Sequence, residues 1–216
     1  MRLRRRADNA NTAAAPSGRT VSSRLLPELL ARRVEAIESN PSLDKLRVLD
    51  LSLGTAPTVN FFANLNVPTQ LIFADSVGLA QALDGVEDPD NADFLNVLET
   101  VKTHFSLPAD FAIDVLLLWD CLHYFDLKGV EAISTLLQPH IHSDTVGYGF
   151  GSLHNDSAMV GAQYALGEDA AVVIEEIDAA IKKTHSQQAL AEYFLCMKIG
   201  RGTLLQEGLL ELQLSA

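Results

Sequence analysis

The chain has few cysteines and no arrangement of them that would bind a metal. Its 216 residues include only Cys121 and Cys196, and neither belongs to a Cys-x-x-Cys pair. A structural zinc site built from cysteines is therefore excluded by number. Both thiols are expected to be small buried side chains in a reducing compartment, and this usage predicts a cytoplasmic protein.

Long apolar runs and an excess of basic residues are also missing. No run of about 18 apolar residues occurs, so the sequence predicts no membrane span. The formal net charge is −12, which predicts repulsion from the phosphates of nucleic acids. The start of the chain is the exception, because residues 2–6 carry four arginines. We interpret residues 1–20 as a disordered basic tail or a misassigned start, and residues 21–216 as one domain.

Several familiar catalytic motifs do not occur. Two short patterns, one glycine-rich and one with paired histidines, resemble binding motifs but do not predict a binding site. The chain has no Gly-x-Ser-x-Gly, no P-loop and no His-Glu-x-x-His. Gly-Tyr-Gly-Phe-Gly at residues 147–151 lacks the following helix that a dinucleotide-binding turn needs. His140 and His142, with His154 or Asp144 as a third ligand, are more typical of exposed loop histidines than of a metal site, so we predict no metal.

Apolar strands and amphipathic helices alternate along most of the chain, which is typical of a mostly parallel sheet covered by helices. Residues 170–177 are either extended or helical, and a further strand near residues 93–104 or 111–113 is expected but not placed. The antiparallel strand pair is predicted at 198–205 and 209–214. Other predicted strands are 47–51, 70–75, 114–120 and 145–153, and predicted helices are 25–37, 59–65, 77–83, 93–104, 127–137 and 187–196.

Three of the predicted strands end in an acid, at Asp50, Asp75 and Asp120. The carboxyl ends of parallel strands lie at one edge of a sheet, where α/β proteins bind ligands. Asp75 suits the two hydroxyls of a ribose, because a carboxylate can accept from both. The alternative is that these acids are turn and cap residues.

The loop after the first of these strands, Ser-Leu-Gly-Thr-Ala-Pro at residues 52–57, contains one glycine. A nicotinamide-dependent dehydrogenase needs three glycines at set spacing in this loop. The sequence therefore disfavours that class of enzyme.

The same segments resemble the motifs of class I S-adenosylmethionine-dependent methyltransferases, in order and in spacing. They are Val-Leu-Asp-Leu-Ser-Leu-Gly at 48–54, Leu-Ile-Phe-Ala-Asp at 71–75, and Asp-Val-Leu-Leu-Leu-Trp-Asp-Cys-Leu-His-Tyr-Phe-Asp at 114–126. Residues 202–214 are similar to the terminal hairpin of the family. The resemblance implies an α/β, doubly wound, mostly parallel seven-stranded sheet with a C-terminal antiparallel hairpin, that is, a Rossmann-like methyltransferase fold.

The resemblance also implies roles for the glycine loop and the ribose acid. Asp50 would orient the loop and contact the amino group of S-adenosylmethionine through water. Gly54 would line the methionine pocket, and Ser52 and Thr55 would offer hydrogen bonds to the cofactor. Asp75 would bind the ribose.

The candidate catalytic residues follow the strand that ends at Asp120. A methyltransferase mainly positions the nucleophile and removes its proton. His123 is a candidate general base beside Asp120, although a structural histidine bonded to the backbone is the commoner case. Trp119 is a candidate cofactor contact, with a core position as the alternative, and Asp93 is a weaker candidate for the adenine.

The sequence thus predicts an S-adenosylmethionine-dependent methyltransferase that acts on a small molecule or on a protein side chain. The alternative is a non-catalytic interaction protein on the same fold, because Ser52 and Ala56 stand where the family has glycines. That alternative predicts a filled or narrowed cleft and an exposed apolar patch.

Overall fold

The computed structural model describes residues 18–40, 42–84, 93–152, 161–177, 184–200, 202–205 and 209–216. Its strands are β1 (Arg19–Val21), β2 (Leu46–Asp50), β3 (Thr69–Phe73), β4 (Ile113–Trp119), β5 (Ile141–Gly151), β6 (Ala162–Leu166), β7 (Val172–Glu176), β8 (Lys198–Ile199), β9 (Thr203–Leu204) and β10 (Leu210–Ser215). Its helices are α1 (Leu25–Ser39), α2 (Ala56–Ala63), α3 (Ser76–Asp84), α4 (Phe94–His104), α5 (Leu127–Leu137) and α6 (Gln187–Tyr193), with short 3₁₀ turns at Cys121–His123, Gln138–His140 and Glu168–Ala170.

A seven-stranded mixed sheet forms the centre of the fold. Strands β3, β2, β4 and β5 lie side by side and pair in parallel. Strand β10 pairs antiparallel to β5, and both β8 and β9 pair with β10. Every residue of β4 is buried, as expected for a central strand covered on both faces. The doubly wound, mostly parallel sheet with a terminal antiparallel hairpin is therefore confirmed.

Helices cover one face of the large sheet, and helices together with a second sheet cover the other. Helices α3, α4, α5 and α6 pack on the first face around β4 residues such as Leu116 and Leu118. Helices α1 and α2 pack on the opposite face, where Val115, Leu117 and Trp119 point. The alternation along β4 thus divides its side chains between two cores.

The second sheet was not predicted from the sequence. Strands β1, β7 and β6 form a three-stranded antiparallel sheet that joins the core on the α1 and α2 side. Residues 170–177, which the sequence predicts as either extended or helical, contain strand β7. Strand β1 begins at Arg19, so the end of the predicted tail takes part in the fold, while residues 1–17 lie outside the described residues.

Three sequence predictions of elements need correction. The segment 198–205 is two short strands, β8 and β9, and these complete the seven strands. The further strand expected near residues 93–104 or 111–113 is not found among the residues that the structure describes there, and Ile113 is instead the first residue of β4. Helix α4 is followed by a loop up to β4. The predicted strand 145–153 begins earlier, at Ile141, and His140 ends the 3₁₀ turn before it, where its Nδ1 lies 2.8 Å from the carbonyl oxygen of Phe111.

A buried ion pair fixes α1 against the amino ends of the central strands. The guanidinium of Arg33 donates to Oδ1 of Asp114, and both side chains are less than a tenth exposed. The backbone N–H of Arg47 donates to Asp114 Oδ2 at 2.8 Å. The Nε2 of His142 lies 3.6 Å from Asp114 Oδ1, so this histidine belongs to the same cluster.

Replacing Asp114 with alanine is expected to lower the free energy of unfolding by about 3–5 kcal/mol, because Arg33 keeps a buried charge without its partner. Urea unfolding followed by circular dichroism measures this loss. The control is Glu28→Ala, which breaks the exposed Arg32–Glu28 pair and should cost less than about 1 kcal/mol. Equal losses in the two variants would contradict the structural role of the buried pair.

Candidate active site at the carboxyl edge of the sheet

The carboxyl ends of β2 and β4 meet through one buried hydrogen bond. The indole Nε1 of Trp119 donates to Oδ1 of Asp50 at 2.6 Å. Asp50 is fully buried and Trp119 is 2% exposed. The second oxygen, Asp50 Oδ2, is also buried and has no hydrogen-bond partner among the described residues. A buried carboxylate with one open acceptor therefore lies at the N–H edge of an indole.

The backbone of Trp119 adopts a conformation that is rare for a bulky residue. Its φ is +51°, in the left-handed region, which costs on the order of 1–3 kcal/mol. The pairing of β4 with β5 shifts register between Leu117 and Trp119, and such an irregularity re-aims a side chain. Gly149 on β5 accommodates it, because a Cβ there would lie 2.9 Å from the carbonyl oxygen of Trp119.

Aromatic rings hold the indole in this position. Trp119 stacks on Tyr164 with ring centroids 5.1 Å apart and planes inclined by 2°. Phe150 stacks less closely at 6.4 Å, and Tyr148 meets the indole edge-on at 5.9 Å. These four rings form the aromatic cluster that fills the carboxyl edge beside Asp50.

Strand β6 crosses this edge and is fixed at both ends. The backbone N–H of Ala162 donates to the hydroxyl of Tyr124 at 3.0 Å, and that of Leu166 donates to Oγ1 of Thr58 at 3.0 Å. Tyr164 lies between these two bonds on the same strand. Strand β6 therefore spans from the turn after β4 to the first turn of α2, over Trp119.

The loop after β2 keeps the geometry that its one glycine allows. Gly54 has a φ of +75°, and a Cβ there would lie 2.8 Å from the ring of Phe73. The Ser52 hydroxyl accepts from the N–H of Gly54 at 3.2 Å, and Thr55 caps α2 by accepting from the N–H of Thr58 at 3.3 Å. The glycine is required both by the backbone conformation and by the contact with Phe73.

Asp75 lies one strand away from Asp50, at the start of α3, and is exposed to solvent. Its Oδ1 accepts from the N–H of Gly78 at 2.8 Å, so it caps the helix. Asp93 is a helix cap as well, accepting from the N–H of Leu95 at 3.3 Å at the start of α4. The alternative prediction, that the acids after the strands are turn and cap residues, therefore describes Asp75, although its carboxylate is also exposed.

Asp120 and His123, the predicted catalytic pair, are both buried. Asp120 Oδ2 accepts from the hydroxyl of Tyr124 at 3.3 Å, and the hydroxyl of Tyr164 is a second donor to this carboxyl. The Nδ1 of His123 accepts from the backbone N–H of His185 at 3.1 Å. This nitrogen is thus engaged with the backbone, and the general-base role of His123 stays a prediction.

Burial changes the acidity of both buried carboxyls. It raises the pKa of Asp50 to about 6, against the opposing hydrogen bonds of Trp119 and Ser52. It raises the pKa of Asp120 to about 7, against the opposing hydrogen bonds of Tyr164 and Tyr124. Both groups therefore bind a proton more readily in the folded chain than in the unfolded one.

The structure brings some of the predicted site residues together and adds others. Asp50, Ser52 and Trp119 cluster at the buried end, whereas Gly54 and Asp75 lie nearer the surface. Tyr164, Thr58 and Phe73 were not predicted as site residues. Only Thr58 had a local signal, the Thr-x-x-Thr spacing with Thr55, because the other two reach the site through strands whose position depends on tertiary packing.

Comparisons with known proteins find similarity only among solved structures. No family model matches the chain, and no curated protein does. DesVI of Streptomyces venezuelae is 11% identical over 88% of this chain and 91% of its own, with a TM-score of 0.46. CalS10, an amino pentose methyltransferase from Micromonospora echinaspora, is 14% identical over 88% and 89%, with the same TM-score of 0.46. The 1,6-didemethyltoxoflavin-N1-methyltransferase of Burkholderia thailandensis is 13% identical over 98% and 97%, with a TM-score of 0.36.

The fold itself is established by the strand order and by the terminal antiparallel hairpin. In the part of the chain that the structure describes, no helix has the length and apolar character to cross a membrane.

The raised pKa values predict that stability falls as the pH rises. The proton on Asp120 stabilises the fold fully below the unfolded pKa near 4, and this contribution is lost as the pH passes about 7. Asp120→Asn, which keeps a neutral partner for the tyrosine hydroxyls, should therefore be more favourable relative to wild type at pH 8 than at pH 5, by on the order of 2 kcal/mol. Urea unfolding at the two pH values measures the difference.

The control for this measurement is Cys121→Ala, a change in the neighbouring buried residue. Burial raises the pKa of the Cys121 thiol well above its usual value, so the thiol stays protonated throughout. Its loss should cost the same at both pH values. If the difference in unfolding free energy between Asp120→Asn and wild type were the same at pH 5 and at pH 8, Asp120 would not take up a proton on folding.

Proposed function

We propose that this chain is an S-adenosylmethionine-dependent methyltransferase. The observation that carries the proposal is that the glycine loop and two acids, Asp50 and Asp75, lie at the same edge of the sheet. Strands β3, β2 and β4 lie side by side there, with the glycine loop and α2 following β2, and with Asp50 and Asp75 at the ends of adjacent strands. Ligands of doubly wound folds bind at this edge.

The side chains at this edge suit the two chemically different halves of S-adenosylmethionine. The exposed carboxylate of Asp75 suits a ribose diol, and the capped start of α2 beside Gly54 offers backbone N–H groups. Asp50 has a buried oxygen without a partner, which suits the ammonium of the amino-acid half. These groups therefore fit the cofactor, although the other Asp50 oxygen is already bound by Trp119.

When bound, S-adenosylmethionine supplies an electrophilic methyl group on a sulfonium. The chain's own residues would hold the cofactor through Asp75, the Gly54 loop and Asp50, and would exclude water through the aromatic cluster. Such an enzyme accelerates transfer largely by positioning the reactants. Asp120 is a buried carboxyl directly after Trp119 in the chain, and its raised pKa near 7 lets it exchange a proton near neutrality. The methyl acceptor would be a small molecule or a protein side chain.

Isothermal titration with S-adenosylhomocysteine tests the cofactor site through a matched pair of variants. Asp75 and Asp126 are both helix caps in Asp-x-x-Gly segments, accepting from Gly78 at 2.8 Å and from Gly129 at 2.7 Å. Asparagine keeps the cap at each position but removes the charge. Asp75→Asn is expected to weaken binding at least tenfold, about the contribution of a hydrogen bond to a charged group, whereas Asp126→Asn should leave the affinity unchanged.

Equal affinities for the two variants would remove Asp75 from the site. If neither the wild type nor the Trp119 variants described below bound S-adenosylhomocysteine as folded proteins, the methyltransferase proposal would fall. The search would then turn to protein partners of a non-catalytic chain.

A further inference from the structure

Trp119 combines three features that an ordinary core tryptophan does not need. Its backbone lies in the left-handed region with φ +51°. Its indole N–H is bound to a fully buried carboxylate at 2.6 Å. Its ring lies flat against a tyrosine from a different sheet, with planes inclined by 2°. Each feature places the indole at the carboxyl edge, where the site residues converge.

The geometry points to Trp119 as a removable plug, whose indole covers Asp50 where the cofactor's ammonium would reach it and must leave before the amino-acid half can bind. This inference rests on the proposed function and adds to it the regulation of the same site. The plug consists of Trp119 together with Tyr164, which stacks on it.

Hydrogen-bond chemistry explains why an indole can occupy this place. The Asp50 carboxylate is an acceptor, and burial removes it from bulk solvent. A protein N–H group or the ammonium of a ligand can satisfy it, and the indole Nε1 is a donor without an acceptor function. The indole binds Oδ1 and leaves Oδ2 without a hydrogen-bond partner among the described residues.

Strand β6 provides the means of holding the plug. Its two end bonds, to Tyr124 and to Thr58, are single backbone-to-side-chain hydrogen bonds of 3.0 Å. Between them, Tyr164 contributes the stacked ring and a hydroxyl that hydrogen-bonds to Asp120. Release of the indole thus requires that its hydrogen bond to Asp50 and its contacts with the rings of the aromatic cluster separate, while β6 remains paired with β7.

The cost of opening lowers the apparent affinity for the cofactor. A protein whose binding-competent state is a minor fraction binds with an affinity reduced by that fraction. Loss of the plug should therefore tighten binding of the amino-acid half of the cofactor, and it should leave binding of a nucleoside without that half nearly unchanged.

Intrinsic fluorescence reports on the plug directly, because Trp119 is the only tryptophan of the chain. The free protein should show the emission of a buried indole that is protected from acrylamide. Saturation with S-adenosylhomocysteine should shift the emission to longer wavelength and increase quenching by acrylamide. 5′-Methylthioadenosine, which lacks the amino-acid half, should leave both signals unchanged.

Calorimetry on two variants completes the test. Trp119→Gly removes the plug and suits the positive φ, so S-adenosylhomocysteine should bind at least about tenfold more tightly than to wild type. Trp119→Phe keeps an aromatic ring but loses the bond to Asp50, and it should give a smaller gain in a protein that folds well. Leu30→Ala is the control, because it removes buried volume from the same core on α1 and should give no gain.

Each outcome decides one of the two proposals. Binding of S-adenosylhomocysteine to wild type with unchanged emission and quenching would overturn the plug and leave the proposed function standing. The same emission shift with 5′-methylthioadenosine would also overturn it, as would equal affinities of wild type and both Trp119 variants. No binding by wild type, Trp119→Gly or Trp119→Phe would overturn the proposed function, and the plug with it.

Discussion

The hydrogen bond between Trp119 and Asp50 is the interaction on which the arrangement of the carboxyl edge depends. An unpaired buried carboxylate is costly, so Asp50 needs a donor where water cannot reach it. The chain supplies that donor from the neighbouring strand, 69 residues later. This requirement accounts for the direction of the indole, for the irregular pairing of β4 with β5 and for the glycine at position 149.

The small sheet follows from the same requirement. An indole turned toward Asp50 exposes one face, and Tyr164 covers that face from β6. The strand is then fixed by side chains that already have other duties, because Thr58 belongs to the first turn of α2 and Tyr124 binds Asp120. All four rings of the aromatic cluster belong to the core on the α1 and α2 side, and a change there reaches both α2 and the turn after β4.

The sequence predicts the parallel part of the fold well, because local patterns determine it. The apolar runs before Asp50 and Asp120 have the length and the continuous apolar character of buried strands. The small sheet is not predicted from the sequence. Its strand β6 is short, rich in small side chains and stabilised by partners distant in the chain. Trp119 was a candidate cofactor contact, yet its bond to Asp50 depends on a register shift that no local pattern encodes.

Backbone strain separates a plug from a tryptophan that only fills space. A core position on a regular strand would hold an indole without a positive φ, and the cost of that φ persists only where the surroundings outweigh it. Here they do so through one hydrogen bond and the three rings that contact the indole. These contacts are lost together if the indole leaves. The closed state is thus stabilised by contacts and opposed by conformation, which is the balance that allows a ligand of modest affinity to open it.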